Sequence, residues 1–205
     1  MKISYAITVC NELEEVKRLV NFLILTKRRE DEIVILFDEK NGTDEVFDYI
    51  ESQVGECEVF CEKFEGHFSD WKNLLTSHCT GKYIFQIDAD ELPTEDLIVN
   101  LPYILEVNQD VDVLRVPRVN TVEGLTVEHI QKWGWNVNEN GWVNWPDYQW
   151  RIYKNIPEIK WKNKVHEVLV GYKTLSHLPS QEVYSIYHPK TINKQEKQNN
   201  YYSTL

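Results

Sequence analysis

The chain has 205 residues, a formal net charge of −11, and 42% hydrophobic against 27% charged residues. That length suits one domain with a sizeable core, and the balance excludes a disordered or fibrous chain. No run of about 18 apolar residues occurs, which excludes a membrane-spanning helix at the level of sequence.

The first apolar run, Ile3 to Val9, reads as a buried strand. Asn11 and Glu12 interrupt it, and no cleavage site of small residues follows, so it is not read as a leader peptide and a cytoplasmic location is expected. Residues Glu12 to Thr26 place Leu13, Val16, Leu19, Val20 and Leu23 at helical spacing. Glu32 to Phe37 form a second apolar strand that ends at Asp38, with a polar turn through Gly42 and Thr43 as cap of the next helix. Cys57 to Phe60 suggest a third strand, Ser69 to Cys79 a helix capped by Ser69, and Lys82 to Ile87 a fourth strand ending at Asp88. Beyond residue 110 the pattern changes. Val111 to Val119 reads as a strand, and Trp133, Trp135, Trp142, Trp145, Tyr148 and Trp150 crowd one stretch. Gln149 to Tyr153 and Lys160 to Val170 suggest a β-hairpin around Pro157. Tyr184 to Tyr187 suggest a last strand before His188, and Thr191 to Tyr202 a polar helix.

Strand and helix in alternation predict an α/β domain with a mostly parallel central sheet, helices on both faces and a C-terminal β-hairpin region. Such sheets bind ligands at the carboxyl ends of their strands, where Asn11, Glu12, Asp38 and Asp88 all fall. Asp88-Ala89-Asp90-Glu91 follows an apolar strand directly. Two carboxylates two residues apart at a strand end can face one hard cation, and Mn2+ or Mg2+ held there would offset the charge of a leaving diphosphate. The same stretch also suits a helix start, through Pro93-Thr94-Glu95-Asp96.

Charge is uneven along the chain. Residues 1–147 carry a net −16 and residues 148–205 a net +5, so the C-terminal part is either a solvated basic tail or a surface that meets phosphate. Cys57 and Cys61 have the spacing of a metal half-site, but without a second pair they read as reduced thiols.

Taken together, Ala6-Ile7-Thr8-Val9-Cys10-Asn11-Glu12, the stretch Asp31 to Asp38 with Asn41-Gly42-Thr43-Asp44, and Gly81 to Glu91 resemble glycosyltransferase family 2 with the GT-A (Rossmann-like) fold. Trp71-Lys72-Asn73 resembles the helix preceding the Asp-x-Asp strand. Gln149-x-Arg151-Ile152-Tyr153-Lys154, Val165-His166-Glu167 and Ile186-Tyr187-His188 resemble small lipopolysaccharide-core and capsule-type members. The resemblance implies one domain over residues 1–205, with 1–110 binding a nucleotide sugar of UDP type and 111–205 binding the acceptor. It implies an inverting transfer to a saccharide. The same chemistry on a modified DNA base, and a non-catalytic nucleotide- or glycan-binding module, are the alternatives.

By that resemblance Glu12 and Asp38 contact the nucleoside, Asp88 the ribose or the metal, Asp90 the metal, and His188 completes the metal site. Two departures stand out. The loop Asp38 to Asp44 is longer than the family's, and the helix that usually carries a Glu-Asp motif is replaced by strand-like sequence around Asp147. An inverting transfer needs a base for the acceptor hydroxyl, and Glu167 and Asp147 are the candidates. Arg151 and Lys164 are expected to hold the diphosphate, His166 to orient Glu167 or touch the acceptor, and Trp145 in the aromatic cluster to stack on it.

Overall fold

The strand Ile3–Val9 (β1) is apolar on both sides because both faces of its sheet are covered. In this computed structural model, which describes residues 1–202 and side-chain burial as far as Lys197, β1 pairs in parallel with Glu32–Asp38 (β2) and Tyr83–Asp88 (β4). The edge strand Glu58–Glu62 (β3) extends the sheet beyond β2, also in parallel. The crossovers are the helices Leu13–Thr26 (α1), Asp44–Ser52 (α2) and Phe68–His78 (α3). Residues 203–205, part of the expected single-domain span, lie outside the described residues.

Past β4 comes a two-residue strand, Leu92–Pro93 (β5), then the helix Glu95–Val107 (α4), capped by the Thr94 hydroxyl, which accepts from Leu97 N–H. The strand Val113–Glu123 (β6) begins two residues later than expected and runs four residues further. A short helix, Val127–Trp133 (α5), was not anticipated. Thr126 and His129 cap it reciprocally, a box made with His in place of the usual Glu or Gln. The long strand Val143–Lys154 (β7) then inserts antiparallel between β4 and β6. Last come Leu175–His177 (β10) and Ile186–Thr191 (β11), both parallel to β6, and the helix Ile192–Tyr202 (α6). β5 pairs antiparallel with β11. The main path across the sheet is β3-β2-β1-β4-β7-β6-β11-β5, mixed but mostly parallel.

Several expected boundaries are corrected. Ser69 lies inside α3, whose cap is His67, with Nδ1 accepting from Asp70 N–H at 3.4 Å. Gln149 to Tyr153 does not form a hairpin with the segment after Pro157, because it is the second half of β7 in the main sheet. The hairpin is a separate ribbon of Lys160–Lys162 (β8) and Val168–Val170 (β9). Residues 182–184 form a 3-10 turn, and His188 sits within β11 rather than after it.

Two apolar clusters sandwich the sheet. One packs Val16, Leu19, Val20 and Leu23 of α1, with buried residues of α2 and α4, on one face. The other packs Trp71 and Leu75 of α3 with Trp161 and Leu169 of the β8-β9 ribbon on the opposite face. Each fully buried Leu or Val side chain is worth about 1.5–3 kcal/mol before entropy is subtracted. The ribbon is tied to α3 by polar contacts as well. Asn73 Nδ2 donates to Trp161 O and Asn73 Oδ1 accepts from Trp161 N–H, each at 2.9 Å, and Phe68 N–H donates to Lys164 O at 3.1 Å. The loop between β8 and β9 is therefore held over the carboxyl end of the sheet.

Candidate active site

Parallel strands β1, β2 and β4 all end at one rim, and β7 and β6, running through and back, bring their own side chains to it. The rim opens into a cavity of about 1250 Å³. Asn11, Glu12, Asp38, Asp88 and Asp90 line it, as do Asp147, His166, Glu167 and His188. Of the expected site residues, Lys164 and Trp145 are not on its wall. Lys164 is exposed because only its carbonyl is anchored, to α3, and Trp145 packs edge-on against Trp142 with 4.9 Å between centroids. Trp71, Trp135, Trp150 and Trp161 do line the cavity, and Trp135 is backed by Trp133 at 4.7 Å.

At the end of β2, both Asp38 oxygens have protein donors: Lys40 N–H at 2.9 Å and Phe64 N–H at 3.1 Å on Oδ1, and Asn41 Nδ2 at 2.7 Å on Oδ2. Asp38 thus shapes the turn it begins, and Gly42 is needed there, since a Cβ would lie 2.2 Å from the Phe37 ring. Glu12 folds back so that Oε2 accepts from the N–H groups of Cys10 and Asn11, each at 3.0 Å.

The centre of the site is a buried charge network. Residues 88–91 form a tight turn closed by Glu91 N–H to Asp88 O at 2.9 Å. Glu91 turns inward and is fully buried. Arg151 grips it through Nε to Oε2 at 2.9 Å and Nη2 to Oε1 at 2.7 Å, and also donates to Asp88 Oδ2 at 2.6 Å. The Arg151 guanidinium, expected to meet a diphosphate, is thus taken up by carboxylates beneath the rim. Burial would raise the Asp88 pKa, but Arg151 and Lys72 bring it down to about 2. Arg118 bridges Glu91, at 3.1 Å, to Asp147 Oδ2, at 2.7 Å from Nη2 and 3.0 Å from Nε. Asp147 Oδ2 also accepts from Asn120 Nδ2 at 2.8 Å, and Oδ1 from Gln149 Nε2 at 2.7 Å. Burial opposes its ionisation, but Arg118, Asn120 and Gln149 hold its pKa below the usual carboxylate value.

Glu167 is placed differently. It projects from the β8-β9 loop, with Lys72 Nζ 3.7 Å away. Lys72 also approaches Asp88 Oδ1 at 3.6 Å and lies over the Trp161 ring at 4.8 Å. On the far side of the acidic turn, Asp90 Oδ2 is 3.5 Å from His188 Nε2 and 3.3 Å from Lys194 Nζ. His188 Nδ1 is 2.8 Å from Asn120 Oδ1. Burial would raise the Asp90 pKa, but His188, Lys194 and Lys190 carry it far below the carboxylate range.

Lys72 and Glu91 stand within motifs legible in sequence but have no role assigned there, and Arg118 and Asn120 belong to none of those motifs. Lys72 carried a signal: it falls on the buried face of α3 with Ser69 and Leu75, three residues to either side, where a lysine needs a reason. Arg118 and Asn120 carried none, since alternation in β6 does not say which strand lies opposite. All four cysteines are free, and burial pushes the Cys57 and Cys79 thiols up to about 12.

Among solved structures, the fold is similar to S. aureus TarS 1-349. The form in complex with UDP-GlcNAc superposes with a TM-score of 0.65 at 16% identity over 93% of this chain and 59% of that one. The form in complex with UDP gives 0.64 at 16% over 92% and 60%. The architecture is that of the GT-A glycosyltransferases. Two curated relatives, glycosyltransferase SunS of Bacillus phage SPbeta and the SPbeta prophage-derived glycosyltransferase SunS of Bacillus subtilis (strain 168), are each 30% identical over 94 residues, 46% of this chain and 21% of theirs. The chain thus spans about a fifth of the length of these relatives and about three fifths of the TarS segment. The profile of glycosyl transferase family 2 matches residues 4–176, and the chain belongs to that family.

Proposed function

We propose that this chain transfers a sugar from a UDP-type nucleotide sugar to a hydroxyl of a saccharide acceptor, with inversion and with Mn2+ or Mg2+. The observation that carries this reading is the convergence of Asp38, Asp88, Asp90, Lys72 and Glu167 on one cavity at the carboxyl ends of parallel strands. The family, and the UDP and UDP-GlcNAc that TarS binds, support the donor class. Residues 1–110 would form the donor half and 111–205 the acceptor half, with Glu12 and Asp38 at the nucleoside and Trp135, in place of Trp145, on the acceptor wall.

Among the described residues no group of three or more His, Cys, Asp or Glu side chains is arranged to hold a metal ion. Asp90 and His188 face each other, however, and Mg2+ and Mn2+ commonly take few protein ligands, the rest being phosphate oxygens and water. Asp90 and His188, with Asp88 beside them, would hold the cation, which when bound offsets the charge of the departing diphosphate. Lys72 would meet that diphosphate from the α3 side.

Glu167 is the proposed general base. It takes the proton of the acceptor hydroxyl as that oxygen attacks the anomeric carbon, and the pair of the breaking carbon–oxygen bond leaves on the phosphate. Asp147 is the poorer base, because Arg118, Asn120 and Gln149 stabilise its ionised form. Loss of a base of this kind costs about 10²–10⁴ in rate. The test measures UDP release from a panel of UDP sugars with saccharide acceptors, in Mn2+ or in chelator. Glu167→Gln should keep UDP affinity and lose turnover, with Asp147→Asn less affected. A Glu167→Gln variant near wild type beside a dead Asp147→Asn hands the role to Asp147, and full activity in chelator removes the cation.

A further inference from the structure

Asn120 lies between two groups that constrain its amide completely. Its neighbour on one side, Asp147 Oδ2, is a carboxylate oxygen held ionised by Arg118, so it can only accept. The Asn120 NH2 must therefore face Asp147, at 2.8 Å. Its carbonyl is then left to face His188 Nδ1, also at 2.8 Å, and a carbonyl can only accept. So Nδ1 carries a hydrogen. In its neutral form the imidazole has that one N–H, which leaves Nε2, the nitrogen 3.5 Å from Asp90, with a lone pair, whereas the protonated ring donates from both nitrogens.

Each link is braced from behind. Arg118 is fixed by the fully buried Glu91, Gln149 holds the other oxygen of Asp147, and His188 is itself buried within β11. Strand register sets the spacing, because Arg118 of β6 is opposite Asp147 of β7 and Asn120 of β6 is opposite His188 of β11. Three neighbouring strands thus carry one hydrogen-bonded chain from Asp147 through Asn120 to His188, whose Nε2 faces Asp90.

We infer that Asp147 and Asn120 are positioning residues that set the tautomer of His188, turning its Nε2 lone pair toward Asp90 to make a two-residue site for a divalent cation such as Mn2+. This rests on the reading above that a cation sits between Asp90 and His188. It gives Asp147 a task other than proton abstraction and explains why its oxygens are filled by donors. Outer-shell partners of a ligating histidine are typically worth about 10–100-fold in metal affinity.

The test uses the full chain, with Mn2+ and UDP as probes. Mn2+ affinity is read by electron paramagnetic resonance, and the His188 tautomer by long-range nitrogen–proton NMR above pH 8. Wild type should show the Nδ1–H form. Asn120→Leu should lose about 10–100-fold in Mn2+ affinity while keeping metal-free UDP affinity. Asn120→Asp, which still offers His188 an acceptor, should recover part of the loss. Turnover of Asp147→Asn should rise with excess Mn2+, whereas that of Glu167→Gln should not. An Nε2–H tautomer in wild type overturns the inference even if Asn120→Leu fails to fold, and so does wild-type Mn2+ affinity in Asn120→Leu. Mn2+ affinity unchanged in both His188→Ala and Asp90→Ala would instead overturn the cation reading itself.

Discussion

Truncating Glu91 to alanine should be among the most destabilising single changes in this chain. The carboxylate is fully buried and serves two cations: the buried Arg151 through two bonds of 2.9 and 2.7 Å, and the half-buried Arg118 through one of 3.1 Å. It also accepts from Asp88 N–H at 3.3 Å, which shapes the acidic turn. Replacing a buried ion pair by apolar groups can be neutral, but removing one partner strands the other charge and costs about 3–5 kcal/mol. Arg151 keeps Asp88 and Arg118 keeps Asp147, so the lower half of that range is expected. Against a total stability of about 5–15 kcal/mol this is a large fraction. At roughly 2–4 °C per kcal/mol for a chain of this size, Tm should fall by about 6–16 °C. Glu91→Gln keeps the shape and part of the hydrogen bonding, and should cost about 1–3 kcal/mol. Urea unfolding at pH 7, followed by fluorescence of the seven tryptophans and by circular dichroism, measures both. A Glu91→Ala variant within about 1 kcal/mol of wild type would refute the reasoning, since it would mean that both arginines find equal partners without Glu91.

Two other outcomes follow from the framework. Gly171 has φ +83, and a Cβ there would lie 1.8 Å from Glu158 O, so Gly171→Ala should cost at least about 1–3 kcal/mol and loosen the β8-β9 ribbon; an unchanged urea midpoint would contradict this. At the opposite end of the sheet, burial opposes ionisation of Glu32, but Lys2, Ser4 and Thr80 lower its pKa from the ordinary 4.5 to about 2. Its folded pKa is depressed, so its contribution is fully present above pH 4.5 and is lost as pH falls toward 2. Acid titration of stability should therefore be flatter in that window for Glu32→Gln, and identical slopes in the two proteins would count against it.

The N-terminal half was readable because its signals are local. Ile3 to Val9 and Glu32 to Asp38 are apolar in unbroken runs, as strands covered on both faces must be, and α1 shows its buried stripe at i, i+3, i+4 and i+7. Parallel strands joined by helices bring their carboxyl ends to one rim by topology alone. For that reason Asp38 and the Asp88–Asp90 turn could be placed together from sequence. Trp145, by contrast, is indistinguishable in sequence from Trp135, and only the tertiary structure puts Trp135 and not Trp145 on the cavity wall.

What only the tertiary structure decided is who stands opposite whom. β7 enters antiparallel between β4 and β6, and that pairing takes the Arg151 guanidinium to Glu91, 60 residues away, and Arg118 to Asp147. His188 meets Asn120 across 68 residues because β11 returns beside β6. Periodicity reports which face of a strand is buried, but it carries no information on strand order or register. Those are set by how the whole set of apolar faces can be covered at once. The acidic turn at the end of β4 was therefore written in local sequence, while the charge network that supports it came into being only when the sheet closed around it.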